Sequence, residues 1–173
     1  ISNESIYLIW PLERLKSLNS LVIEQGMFKK EDALKISLEV ITFLIEADAK
    51  FSRPHLIIGS KNIYVNSEGA IRYSDYGIAA YLFTKYPFFN IKEFFEFHPP
   101  ESMGSKNQHF SYDADTYQLA CVLYLMITGR LPEKTLDRST YSFCFSKELN
   151  QYLGKDFLEV FRRMTATSGQ LQY

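Results

Sequence analysis

Cysteine is scarce in this chain: Cys121 and Cys144 are the only two among 173 residues. Two cysteines so far apart build no disulfide framework, and a reducing, intracellular and cytoplasmic setting is expected. Charge of one sign is also missing. Nineteen Lys and Arg stand against twenty Asp and Glu, for a net charge of −1. Nucleic acid and anionic membranes both call for a basic face, so neither is expected as a partner. Long apolar runs are absent too. The longest, Leu119 to Ile127, is well short of the roughly 20 residues that span a bilayer. No signal peptide is visible at the start. Nowhere does a glycine-rich G-x-G-x-x-G occur. The first residue is Ile1, which suggests a piece of a longer polypeptide.

What the chain has in quantity is apolar and aromatic residues, at 46% and 16%. That is enough for one folded domain with a sizeable core, and no repeat or linker divides it. Ser5 to Trp10 is β-rich and stops at Pro11, predicting a short strand. Leu15 to Gln25 predicts a short helix ended by Gly26, and Lys29 to Lys50 a long one. In the long helix Leu34, Leu38, Ile41 and Ile45 form one apolar stripe. Ala33, Ile36, Val40, Phe43 and Ala47 form a second, so most of its girth is expected to be buried. Ser67-Glu68-Gly69 joins strands at 62–66 and 70–74 in a hairpin. The stretch 78–97 reads as aromatic and irregular. Ala114 to Thr128 reads as a central buried helix, and Lys147 to Met164 as a third helix with Phe157, Val160, Phe161 and Met164 on one face.

Five short motifs fall in a telling order: Arg53-Pro54-His55-Leu56-Ile57-Ile58-Gly59-Ser60-Lys61-Asn62, Asp75-Tyr76-Gly77, Pro99-Pro100-Glu101, Tyr112-Asp113-Ala114-Asp115, and Thr128-Gly129-Arg130-Leu131-Pro132. Together they resemble the C-terminal lobe of a eukaryotic protein kinase, from its catalytic loop (H-R-D-L-x-x-x-N) and D-F-G turn to its central helix. The resemblance runs from about Ser5 to at least Met164. It implies a mostly α fold with a small β-hairpin, an α+β kinase C-lobe, as a single domain over 1–173. Residues 5–10 would be the last strand of the small lobe and the hinge. It also implies that Asp115 bonds the backbone of the catalytic loop, that His55 and Tyr76 stack in a buried column, and that Gly77 supplies backbone freedom.

The residues that would act on phosphate are mostly missing. Ile57 stands where the resemblance places the catalytic aspartate, and Gly59 where it places the loop lysine. An isoleucine neither takes a proton nor orients a hydroxyl. Asn62 and Asp75 match the family's two metal ligands. They read either as a vestigial Mg²⁺ site with residual Mg-ATP binding or as loop and turn residues, since Mg²⁺ leans on substrate phosphates. No catalytic residue and no cofactor is expected.

Other chemistries are poorly supported. His55, His98 and His109 are too dispersed for a zinc site, and no G-x-S-x-G elbow accompanies a serine triad. Tyr81, Thr84 and Tyr86 lie where activation-segment phosphorylation occurs in the family, but the greasy context favours packing. Glu101 is expected to lack the arginine that its family counterpart pairs with, since Gln172 falls near that position. The cluster of Phe83, Tyr86, Phe88, Phe89, Phe94, Phe95 and Phe97 reads either as a partner surface or as a cover for the lobe's own cleft. The expected function is that of a pseudokinase: an inactive, kinase-like scaffold or assembly subunit that binds protein, with the 78–97 segment as its surface. Two alternatives stand beside it. One is a KIND-like peptide-binding module built from the C-lobe alone. The other is an atypical active Ser/Thr kinase whose small lobe lies upstream.

Overall fold

The computed structural model describes residues 14–85, 96–98, 112–134 and 141–166. The strand expected at 5–10 and most of the aromatic segment lie outside them. So do Glu101, His109 and Gln172.

The chain enters as β1 (Leu15–Ser17) and turns directly into α1 (Leu18–Gln25). The single helix expected over 15–25 is therefore a strand and a helix. Ser17 makes the change: its backbone is extended, and its Oγ accepts from Ser20 N at 3.1 Å as an N-cap. Gly26, at φ 79°, ends α1. Next comes α2 (Lys30–Phe51), with Glu31 and Asp32 in its first turn. β2 (Ile63–Asn66) and β3 (Ile71–Tyr73) form the expected hairpin, with Val65 opposite Ile71. Asn66 Oδ1 closes its turn by accepting from Glu68 N and Ala70 N. β1 adds to β2 antiparallel, Lys16 opposite Val65, so the sheet has three strands in the order β1-β2-β3.

Helix α3 (Ile78–Lys85) replaces the irregular start expected for the aromatic segment. α4 (Tyr112–Thr128) is the centre of the fold. From Ala114 to Ile127 every residue except Thr116 is buried. A short strand pair, β4 (Glu133–Lys134) and β5 (Tyr141–Ser142), follows. The third helix is in fact two, α5 (Lys147–Leu153) and α6 (Lys155–Thr165). Gly154 separates them at φ 81° and ψ 163°, values no helix accommodates. Phe157 and Phe161 face the core, and Val160 does not.

The core gathers Leu18, Val40, Ile63, Leu119, Met126 and Leu153 around α4. Tyr124, Phe143, Phe145 and Phe161 close one side with ring centroids 5.2–6.5 Å apart. Helix α2 buries one of its two apolar stripes far more than the other. Ala33, Ile36, Val40 and Ala47 are buried, whereas Leu38 and Ile45 of the other stripe keep 63% and 64% of their surface exposed. The expectation of a helix buried round most of its girth is corrected accordingly. Among the described residues no helix is long and apolar enough to cross a membrane.

The two stripes should separate in urea unfolding. Val40→Ala, at a buried site, should cost about 2 kcal/mol, whereas Leu38→Ala on the exposed stripe should stay within about 0.5 kcal/mol. Equal costs would place both stripes in the core.

Candidate functional site

The segment between α2 and β2, residues 52–62, has no regular backbone ladder, so its polar groups need other partners. Helix α4 provides them. Asp115 takes two buried amides: His55 N donates to Oδ2 at 2.7 Å and Leu56 N to Oδ1 at 2.6 Å. One turn on, Gln118 Oε1 accepts from Ile58 N at 2.9 Å. Its Nε2 donates to Leu56 O and to Phe97 O, each at 3.0 Å. Residues three apart on a helix share a face, so these two side chains form one polar ledge inside an apolar helix. The ledge holds Leu56 at φ 72°, a left-handed conformation that costs a non-glycine residue roughly 1–3 kcal/mol. The loop contact implied for Asp115 is present. Gln118 was missed, although a glutamine three residues after Asp115 in so apolar a run signals a polar partner.

His55 is buried, and burial is the main reason that its pKa falls to about 4. A hydrogen bond to the Ser74 backbone and the charge of Asp75 partly offset it. The edge of its ring meets Tyr76 at 5.5 Å. Tyr76 also touches Phe43 and Phe51, and its hydroxyl donates to Arg53 O at 3.0 Å. His55 and Tyr76 therefore meet as implied, but edge to face and not stacked, and Tyr76 is only half-buried. Asp75 and Gly77 both take positive φ, 67° and 79°. Gly77 does so without Cβ strain, and Asp75 belongs to the few residue types that tolerate it.

The two metal-ligand candidates are brought together. Asn62 Nδ2 donates to Asp75 Oδ2 at 2.6 Å, and Ser74 Oγ donates to the same oxygen at 2.7 Å. Among the described residues, no three His, Cys, Asp or Glu side chains form a group that could hold a metal ion. Ile57 does not face a cleft. It is 4% exposed and clusters with Leu56, Ala79 and Ala114. Beside Gly59 lies Glu96, a residue that the sequence did not single out. Its Oε1 accepts from Ser60 Oγ at 2.7 Å.

Of the aromatic candidates, Phe97 is buried in the main core and Tyr81 is exposed on α3. Packing, the reading favoured for Tyr81, is thus corrected. Phe88, Phe89, Phe94, Phe95 and Tyr86 lie outside the described residues.

A buried helix that holds a histidine-bearing loop, followed by a hairpin and an Asp-x-Gly turn, is the frame of a protein kinase's larger lobe. A family model for the protein kinase domain matches residues 1–163, and the chain belongs to that family. It is also similar to a probable serine/threonine-protein kinase of Clostridium perfringens (strain 13 / Type A), with 28% identity over 126 residues. The match covers 73% of this chain and 18% of that relative's length.

Two outcomes follow from this geometry. Asp115→Ala would strand two buried amides of the loop and should cost roughly 3 kcal/mol in urea unfolding; an unchanged midpoint would mean that the ledge carries no load. His55 favours the neutral form when folded. Its contribution is therefore full above its ordinary value of 6.5 and is lost as pH falls toward about 4. Between pH 7 and 4 the natural chain should lose about 3 kcal/mol more stability than His55→Phe. Parallel pH curves would show that His55 is not the buried titrating group.

Proposed function

We propose that this chain is a catalytically inactive, kinase-like domain that acts as a protein-interaction scaffold or assembly subunit. The observation that carries the reading is the place of Ile57. Phosphoryl transfer in this family relies on positioned charge: an aspartate to take the hydroxyl proton, a lysine and metal ions for the phosphates. At the aspartate's position the side chain is apolar and packed among Leu56, Ala79 and Ala114. An aspartate there would enter an apolar cluster. Restoring the base therefore takes more than one substitution. At the lysine's position there is no side chain at all.

The Asn62–Asp75 pair is read here as a tie between the catalytic loop and the turn after β3. Two donors converge on one carboxylate oxygen of Asp75, which accounts for both residues without a metal ion or nucleotide. On this reading Mg-ATP gives the chain no useful stabilisation. Exposed Tyr81 supports a partner surface within 78–97, and Phe97, which turns inward, is not part of it. A second reading, an active Ser/Thr kinase completed by the rest of the polypeptide, draws support from the name of the Clostridium relative and from the retained pair.

The full polypeptide that carries this chain, incubated with labelled ATP and Mg²⁺, should transfer no more phosphate than its Asp75→Ala variant. Transfer that disappears with Asp75→Ala would sink the scaffold reading and favour the second. Ile57→Asp should restore nothing and should lose roughly 3 kcal/mol of stability, the cost of a carboxyl group in an apolar cluster.

A further inference from the structure

Gly59 occupies the position of the family's loop lysine, and its φ lies outside the left-handed region. Backbone conformation therefore gives no reason for a glycine there. Space does. A Cβ on Gly59 would lie 2.5 Å from Glu96 Oε2, 3.1 Å from Glu96 Cβ and 3.2 Å from Asn62 Oδ1. Glu96 is not a loose end that swings aside. Its Oε1 accepts from the hydroxyl of the buried Ser60 at 2.7 Å, and its Oε2 makes a longer contact with Lys61 N at 3.4 Å. The next residue, Phe97, is buried, and its carbonyl is held by Gln118 Nε2.

We propose that Glu96 is a built-in occupant of the catalytic loop at Gly59, the position of the family's loop lysine. Its carboxylate lies over Gly59 and closes the catalytic loop to anionic ligands. It does so in two ways. It takes two donors of the loop for itself, the buried Ser60 hydroxyl and, at 3.4 Å, the Lys61 amide. It also sets a negative charge in a half-buried place, where screening by salt is weak. Glycine at 59 and glutamate at 96 are then one device: the missing side chain makes room for the carboxylate. The inference rests on the inactive reading above in taking the loop as closed to phosphate, and it adds which residue closes it.

Two measurements test it. In thermal unfolding, Gly59→Ala should lower Tm by about 2–4 °C in the natural chain and by clearly less in a Glu96→Ala background, which removes the 2.5 Å contact and keeps the 3.1 Å one. Equal losses in both backgrounds would show that Glu96 does not fill the space. In the second, inorganic tripolyphosphate is titrated at low salt, followed by NMR, into Gly59→Lys and into Gly59→Lys/Glu96→Gln. The double variant should bind at least roughly tenfold more tightly, as expected when a charge-assisted bond replaces a repulsion. Equal affinity, including no binding by either, overturns the proposal. Neither measurement uses phosphate transfer. An active enzyme would sink the inactive reading and leave the Gly59–Glu96 coupling to stand or fall by itself.

Discussion

Everything around the candidate site hangs on one buried carboxylate. Asp115 sits inside α4, the most deeply buried helix among the described residues, and is 2% exposed. A carboxyl group there needs partners, and two loop amides point at it from 2.6 and 2.7 Å. The dependence is mutual. The loop has no strand or helix to satisfy its backbone, and Leu56 sits in a conformation that its side chain disfavours. Removing either partner exposes the cost of the other. Gln118 extends the arrangement by reaching Ile58, Leu56 and Phe97 at once. It thereby connects the central helix, the loop and the segment that carries Glu96.

The residues of this family site divide by what they touch. Those that bond backbone or pack against rings are in working positions: Asp115 on the loop, His55 against Tyr76, Gly77 at a positive φ. On the inactive reading, two of those that would face phosphate carry groups with another use. Ile57 adds to a small apolar cluster, and Gly59 leaves a space that Glu96 fills. The loop has been refitted as a packed joint. That is why the inactive reading rests on packing and on more than the loss of an aspartate.

Much of this was legible in the chain. The hairpin at 63–73 and the central helix followed from period and turn residues, and the order of five short motifs pointed to the kinase lobe. Ile57 and Gly59 stood out because the motif around them was otherwise intact. The partners of Gln118 and of Glu96 were not legible. A glutamine in an apolar run and a glutamate among phenylalanines carry no motif. Their roles come from contacts 60 and 36 residues away in sequence.

Where the signal is local, the chain alone was enough: the bounds of α2, the end of α4, the turn of the hairpin, and that no G-x-G-x-x-G occurs; α4 begins at Tyr112, two residues before the expected Ala114. Tertiary structure decided which of two equally apolar stripes on α2 is buried, because burial depends on where α4 lies and not on hydrophobicity. It also split 15–25 into strand and helix, since Lys16 found Val65 across the sheet, and it broke the last helix at Gly154. Above all, it decided what Gly59 is for. A glycine in a chain is only an absence of side chain. The carboxylate 2.5 Å from its missing Cβ comes from a residue far along the sequence, and only folding puts the two together.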